Sequence, residues 1–257
     1  MEIKCKICQQ STTQVFKATI LNKYEVAYNR CNSCLFIQTE EPYWLDESYE
    51  SPMNINDTGI VVRNEILRKR VTCLIFLSLN KEKPYLDYAG GYGLFTRMMR
   101  DIGFDFYWID QYTTNLLARG FEHKEHKKYE AITAFEVFEH LSDPVEEINK
   151  MFGYSDTIIF STLLAPASVP DKSWWYYGFS HGQHISIYSK RALQVVAQKL
   201  GANLYTNGLD YHVLSKKQLN KVAIKCSSRL YKYGLYNIFR STLKSKTQSD
   251  HLLLSRS

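Results

Sequence analysis

Long apolar runs are missing from this sequence. The longest, from Val71 to Leu79, is far shorter than the about 20 residues that a helix needs to cross a bilayer. The first residues, Met-Glu-Ile-Lys-Cys, lack the apolar core of a secretory signal peptide. The sequence therefore predicts no membrane-spanning segment and a cytoplasmic location.

A composition typical of disorder is also missing, because 45% of the residues are hydrophobic and 23% are charged. The charge is unevenly distributed. Residues 213–257 contain ten Lys or Arg against the single Asp250, a net charge of +9, whereas residues 1–212 carry −3. We predict a basic helical tail over 213–257, which either is simply solvated or contacts phosphate groups or an anionic membrane surface.

Six cysteines in a cytoplasmic chain favour metal ligands or buried thiols over disulfides. Cys5-x-x-Cys8 and Cys31-x-x-Cys34 are two knuckles separated by 22 residues. Two such pairs can close a tetrahedron of thiolates around Zn²⁺, and a filled tetrahedron has no position for a substrate. We predict a structural zinc module over 1–45. The alternatives are two unrelated thiol pairs or a redox motif.

The stretch Pro84–Gly93, with the sequence Pro-Tyr-Leu-Asp-Tyr-Ala-Gly-Gly-Tyr-Gly, indicates a strand, a glycine-rich turn and a helix. A second strand, Phe104–Ile109, leads to Asp110, whose carboxylate can accept the hydroxyls of a ribose. Together they predict a site for an adenosine-type cofactor. A tight turn without a ligand is the alternative, and the Gly-x-Gly-x-x-Gly spacing of nicotinamide-dinucleotide folds is absent.

A second informative run spans Tyr129–Pro144. Asp143 suits a helix N-cap, Pro144 the first helical position and Glu146 a capping box, so a helix is expected to begin here. The preceding loop, 135–140, would then lie at the carboxyl ends of parallel strands, where open α/β sheets bind ligands.

These motifs resemble those of class I S-adenosylmethionine-dependent methyltransferases. The family pattern of an acidic residue, x-Gly-x-Gly-x-Gly and a second acidic residue maps onto this chain with Ala89 in place of the first glycine. The resemblance implies an α/β fold with a Rossmann-like sheet and S-adenosylmethionine as cofactor. The implied cofactor-binding residues are Asp87, Ala89, Gly90, Gly91, Gly93, Asp110, Gln111, Phe135 and Glu136.

Among these enzymes the chain is most similar to bacterial sugar methyltransferases that begin with a four-cysteine zinc module. Their tyrosine-bearing connector corresponds to residues 46–59, and Gly182–Ser189 resembles another of their motifs. We predict His184 as the general base, with His140 and Tyr49 assisting. Alternatively, His140 hydrogen bonds with Glu139, and Tyr49 only packs two modules together. The pair His181 and His184 lacks an evident third metal ligand.

The sequence therefore predicts a methyltransferase domain over 60–212, whose first helix, Ile60–Leu79, covers the sheet through an apolar face that includes Val62. The aromatic run Trp174–Tyr177 is expected to form a lid or an acceptor wall. The expected acceptor is a carbohydrate-type small molecule, nucleotide-linked or destined for a surface polysaccharide. An RNA methyltransferase and a non-catalytic binding protein are the alternatives; the zinc module has too few basic residues to favour nucleic acid.

Overall fold

The computed structural model describes residues 3–50 and 57–256, so residues 51–56 of the predicted connector lie outside the described residues. Ten strands are described: β1 Thr12–Ile20, β2 Tyr24–Cys31, β3 Ile37–Thr39, β4 Tyr85–Tyr88, β5 Phe106–Ile109, β6 Ile132–Ala134, β7 Thr157–Ser161, β8 Ser186–Ile187, β9 Asn203–Thr206 and β10 Tyr211–Ser215. Eight α-helices are described: α1 Leu45–Ser48, α2 Ile60–Ser78, α3 Leu94–Ile102, α4 Pro144–Met151, α5 Lys190–Lys199, α6 Lys221–Leu230, α7 Leu235–Ser241 and α8 Thr247–Leu254.

The larger sheet has six strands in the order β5-β4-β6-β7-β10-β9. β4 pairs in parallel with both β5 and β6, whereas β10 and β9 are antiparallel. A single parallel bridge joins Trp108 of β5 to Glu122. The chain order reverses between β4 and β6, and such a switch point is where open α/β sheets form their ligand crevice.

Two compact units are present in the chain. The first contains the described residues of Met1–Asn54 together with Glu136–Lys150 and Phe160–Lys216. The second contains the described residues of Ile55–Phe135 together with Met151–Ile159 and Lys217–Ser257. The domain boundaries predicted from the sequence stay a prediction.

The first unit contains a four-stranded sheet in the order β1-β2-β3-β8. β1 and β2 form a hairpin between the two cysteine pairs, and β3 pairs with β8 from much later in the chain. Trp44, Tyr28 and Tyr177 are almost completely buried in the apolar cluster on this sheet. The Trp44 indole N–H donates to the carbonyl of Gly182 at 2.8 Å, which fixes the loop that precedes His184.

In the second unit, α2 buries Leu67, Val71, Leu74 and Ile75 at helical spacing. The prediction that Val62 belongs to this buried face is wrong, because Val62 is 65% exposed. α2 packs closely against α6 and α7. Those helices belong to the basic tail, so the tail supplies part of the apolar cover for α2, and the first turn of α2 extends beyond that cover.

The helix start predicted at Asp143 is confirmed, and α5 also begins with a side-chain cap. The Asp143 carboxylate accepts a hydrogen bond from the Glu146 amide at 3.3 Å at the beginning of α4. The Ser189 hydroxyl accepts from the Ala192 amide at 3.0 Å at the beginning of α5. Among the described residues, no helix is both long enough and apolar enough to span a bilayer.

Candidate active site

The glycine loop after β4 has an unusual backbone. Ala89, Gly91 and Gly93 all have positive φ, at 53°, 53° and 85°. A Cβ at Gly90 would lie 2.7 Å from both the Asp87 carboxylate and the Trp108 ring, so only glycine fits there. The loop therefore brings main-chain amides close to the crevice at the carboxyl end of the sheet, as a phosphate- or ribose-binding turn does.

Asp87 lies beneath this loop and is buried. Its carboxylate accepts hydrogen bonds from the hydroxyls of Thr133 at 2.8 Å and Thr96 at 3.1 Å. Burial raises the pKa of Asp87 to about 7, despite these two bonds to the carboxylate. Asp87 therefore joins β4, β6 and α3 through a carboxyl group that is half protonated near neutral pH.

Asp110, the predicted ribose ligand, holds the loop in place. One carboxylate oxygen accepts from the Gly91 amide at 2.9 Å, and the other accepts from the amides of Tyr112 at 2.8 Å and Thr113 at 2.9 Å. A carboxylate offers about four acceptor positions. Three are taken by the protein's own backbone, which leaves one for a ligand hydroxyl.

The remaining predicted cofactor residues have differing surroundings. Gln111 is exposed. Phe135 packs edge-on against Phe95, with ring centroids 5.0 Å apart. Glu136 has a φ of 54° and its amide donates to the Ser161 hydroxyl at 2.9 Å, which in turn donates to the Glu136 carboxylate at 2.6 Å. That reciprocal pair holds a strained residue at the end of β6.

In the first unit, two predicted catalytic residues are in direct contact. The Tyr49 hydroxyl lies 2.8 Å from His140 Nδ1. The His140 and His184 rings are nearly perpendicular, with centroids 5.1 Å apart. His184 Nδ1 lies 2.6 Å from the Tyr176 carbonyl oxygen, which can only accept, so Nδ1 carries the proton and Nε2 has a free lone pair.

The four predicted metal cysteines also come together. The sulfur atoms of Cys5 and Cys34 are 3.6 Å apart, those of Cys8 and Cys31 are 3.3 Å apart, and all four lie within 4.8 Å of one another. The amides of Ser33 and Cys34 both donate to the sulfur of Cys31 at 3.3 Å, as in a metal-binding knuckle.

A family model described as "Methyltransferase domain" matches residues 63–207, which is more than half of the chain. The chain belongs to this methyltransferase family. The predicted Rossmann-like α/β fold and the prediction of a methyltransferase are therefore confirmed. No curated protein matches the sequence.

Three solved structures are similar to the methyltransferase. CalO1, a methyltransferase in calicheamicin biosynthesis in an SAH-bound form, is 11% identical over 67% of this chain and 61% of its own, with a TM-score of 0.46. An O-methyltransferase family protein from Burkholderia thailandensis is 12% identical over 68% and 67%, with a TM-score of 0.42. The mitomycin 7-O-methyltransferase MmcR is 10% identical over 66% and 59%, with a TM-score of 0.43. These likenesses are too weak to inform on the acceptor.

Burial depresses the basicity of both histidines of the methyltransferase. The pKa of His184 is lowered to about 4, chiefly by burial, although its bond to the Tyr176 carbonyl opposes the shift. The pKa of His140 is lowered well below its usual value by burial and by the neighbouring His184 and His181. Both imidazoles are therefore neutral at physiological pH.

Glu139 entered the sequence analysis only in one of two alternatives, as a hydrogen-bond partner of His140. It is fully buried, and neither carboxylate oxygen makes a hydrogen bond of standard geometry within the described residues, although the hydroxyls of Tyr176 and Thr162 lie beside it. The alternative in which Glu139 hydrogen bonds with His140 is wrong, because the described partner of His140 is Tyr49. Burial, followed by the charge of Glu136, raises the pKa of Glu139 to about 8. Its position next to His140 in the sequence was the one available signal.

The aromatic run is mostly part of the core. Tyr176 and Tyr177 are buried, and the Tyr176 hydroxyl accepts from the Leu163 amide at 2.9 Å. Only Trp175 of the four is largely exposed, at 74%. The run therefore supports the loop that carries His184, and Trp175 is the single ring that can serve as an external stacking surface.

Proposed function

We propose that this methyltransferase transfers the methyl group of S-adenosylmethionine to a carbohydrate-type small molecule, with a histidine of its active site receiving the acceptor's proton. The observation that carries this proposal is the group formed by Tyr49, His140 and His184, in which a free imidazole lone pair is held beside two further polar side chains. A sugar hydroxyl or an acidic carbon must lose a proton as it gains a methyl group, and a neutral imidazole can take that proton.

The glycine loop supports the donor half of the proposal. Its amides, positive-φ residues and the Asp110 carboxylate suit the adenosine and ribose of S-adenosylmethionine. When bound, the cofactor supplies an activated methyl group on a sulfonium, so the protein has chiefly to align the acceptor and exclude water. We propose all nine residues predicted from the resemblance as its surroundings, with the Asp110 contact limited to one acceptor position.

His184 is our first candidate for the proton acceptor, with His140 second. The fixed Nδ1–H of His184 directs its lone pair through Nε2, whereas the tautomer of His140 depends on which atom donates in its bond with Tyr49. Burial makes His184 a weak base, but it guarantees that the imidazole is unprotonated at neutral pH. Tyr49 is a positioning residue that orients the ring of His140.

The test begins with a screen of nucleotide sugars for acceptance of a labelled methyl group, followed by turnover of His184→Gln. We expect kcat to fall by about 100-fold or more, the usual contribution of a general base, while S-adenosylmethionine affinity is retained. His123→Gln, which alters a histidine bonded to Tyr129 in the second unit, is the matched control. Near-normal turnover of His184→Gln, or strong salt-dependent RNA binding without sugar methylation, would refute the proposal.

We propose Zn²⁺ as the ion of the cysteine module. Four thiolates at these separations fit a tetrahedral ion with Zn–S bonds of about 2.3 Å, and the amides that donate to Cys31 would stabilise its charge. Cys5, Cys8, Cys31 and Cys34 would hold the ion, which has a structural role because no coordination position is left for an acceptor.

We also propose that the basic tail contacts an anionic membrane surface. On α6 the exposed side chains Lys221, Val222, Lys225 and Arg229 recur at helical spacing, opposite buried Ala223 and Ile224. Sedimentation with anionic and with zwitterionic vesicles tests this contact. Binding to anionic vesicles alone, weakened in Lys225→Glu, is the expected result, and equal sedimentation with both would refute it. A cytoplasmic location stays a prediction from the sequence.

A further inference from the structure

Three side chains in the first unit are placed as metal ligands could be, at a position other than the cysteine site. Glu139, His140 and His184 each present one ligand atom, and these atoms lie within 4.8 Å of one another. Glu139 and His140 end a short 3-10 helix, Phe138–His140, and His184 lies in the loop just before β8. Residues 44 positions apart in the sequence thus converge through the fold.

The carboxylate of Glu139 is buried with neutral hydroxyls as its neighbours. Its residue is 0% exposed, and neither oxygen makes a hydrogen bond of standard geometry within the described residues, although the hydroxyls of Tyr176 and Thr162, 3.0 Å from each other, lie beside it. Burying a charged carboxylate costs more free energy than burying a neutral polar group. A cation held between this carboxylate and the two imidazoles would supply the opposite charge that two neutral hydroxyls do not.

The two imidazoles have the outer contacts of metal ligands. Histidines that bind metals usually donate their second ring N–H to a nearby oxygen, which fixes the ring and leaves the other nitrogen for the ion. His184 donates Nδ1–H to the Tyr176 carbonyl at 2.6 Å. His140 has its Nδ1 2.8 Å from the Tyr49 oxygen and can donate to it in the same way. Nε2 is then the ligand atom in both residues.

We infer that Glu139, His140 and His184 bind one divalent transition-metal ion. Two imidazoles and one carboxylate suit ions such as Fe²⁺, Co²⁺ or Zn²⁺ better than Mg²⁺, which prefers oxygen ligands. Three protein ligands leave coordination positions open for a ligand with two oxygens, such as a vicinal diol. With the ion bound, Nε2 of His184 would be a ligand and could not take the acceptor's proton; the ion would instead lower the pKa of a coordinated hydroxyl, whose proton would pass to water. That the acceptor supplies this diol rests on the proposed function; the metal site itself does not.

The experiment uses Co²⁺, since its absorption spectrum identifies its ligands. The full-length protein is first given one equivalent of Zn²⁺, which the four thiolates take in preference. Co²⁺ is then titrated, and we expect one further equivalent to bind with weak d–d bands and no sulfur-to-cobalt charge-transfer band. Glu139→Gln and His184→Gln should each weaken this binding by at least about tenfold, because each removes a ligand.

Two matched variants control for the substitutions themselves. Glu147→Gln changes a carboxylate of the first unit that is bonded to Lys150, and His123→Gln changes a histidine of the second unit; both should bind the ion like wild type. Calorimetric binding of S-adenosylmethionine by every variant verifies folding. The inference is overturned if wild type binds no second equivalent, or if Glu139→Gln and His184→Gln bind it unchanged. If the protein methylates a sugar but binds no second ion, the metal site is rejected and the proposed function stands. If it binds the second ion but methylates no sugar, the metal site stands and the proposed function is rejected.

Discussion

The glycine loop of the second unit and the glutamate–histidine group of the first unit are built in opposite ways. In the loop, the functional groups are main-chain amides, and the carboxylates of Asp87 and Asp110 are already bonded to neighbouring hydroxyls and amides. In the other group, the functional atoms belong to side chains, and the Glu139 carboxylate makes no hydrogen bond of standard geometry within the described residues.

This difference determines how far each region is organised before its ligand binds. A loop that satisfies its own polar groups is preorganised, so a cofactor meets fixed amides and little reorganisation is required on binding. A buried carboxylate and two neutral imidazoles are instead incomplete until a cation or an acceptor arrives. The cysteine module of the first unit shares this second design, because its four sulfurs converge on one point and backbone amides, among them those of Ser33 and Cys34, donate to them.

A site whose ligands are side chains should lose its ion when a single one of those side chains is changed. We predict that Cys31→Ser loses its zinc and at least several kcal/mol of stability, since structural zinc contributes about 10–16 kcal/mol in small zinc fingers. Metal analysis and urea unfolding measure the two effects. Cys226→Ser, outside the cluster, should keep one zinc per chain. Full zinc occupancy in Cys31→Ser would show that the four sulfurs are not one site.

The loop region can be probed through the pH dependence that Asp87 gives to stability. Its pKa is raised from 3.8 to about 7 when the protein folds, so the native state holds this proton more tightly than the unfolded chain does. The resulting stabilisation is complete below about pH 4 and is lost as pH rises to about 7. At about 1.4 kcal/mol per pH unit, the loss is on the order of 4 kcal/mol.

Urea unfolding of wild type and Asp87→Asn at pH 4.5 and pH 8 isolates this contribution, because every other titrating group is common to both proteins. We expect wild type to lose more stability than Asp87→Asn between these two pH values. Identical losses would mean that Asp87 ionises in the native state as it does in the unfolded chain.

Within the loop, substitutions at two glycines distinguish the effect of a steric clash from the effect of an unfavourable φ. A Cβ at Gly93 would lie 2.7 Å from Asn115 Oδ1 and 3.1 Å from the Ala118 amide nitrogen, whereas a Cβ at Gly91 meets nothing within 4 Å. Both residues have positive φ. We predict that Gly93→Ala costs about 2–3 kcal/mol and weakens S-adenosylmethionine binding at least about tenfold, and that Gly91→Ala costs about 1 kcal/mol. Equal effects in calorimetry and unfolding would contradict the steric account.

Local chemistry explains which features could be predicted from the sequence. Cysteine spacing, the glycine-rich turn and the caps at Asp143 and Ser189 depend on neighbouring residues, and the structure has the sulfurs together and the caps in place. The strand, turn and helix around Gly91 follow from the same local rules. These are interactions that a window of a few residues contains.

The misassigned features depend on contacts between distant segments. Val62 continues the apolar period of α2, but α6 and α7 leave it exposed. Tyr176 and Tyr177 look like lid residues until the bond from the Leu163 amide and the apolar cluster place them in the core. A hydrogen bond between Glu139 and His140 was one of two alternatives, and only the fold places His184 beside both residues. Aromatic and acidic side chains do not reveal from local sequence which distant segment will surround them.

Ala89 provides the finest test of the loop, since it is the position where the sequence departs from the family pattern. Its φ of 53° costs an alanine about 1–2 kcal/mol, whereas glycine adopts it freely at the expense of about 0.5–1 kcal/mol of chain entropy. Ala89→Gly should therefore stabilise the protein by about 0.5–1 kcal/mol and raise Tm by about 2 °C. Ala197→Gly, inside α5, should destabilise it by about 1 kcal/mol. If Ala89→Gly lowers Tm as Ala197→Gly does, the loop backbone is not strained at Ala89, and its left-handed turn is as accessible to alanine as to glycine.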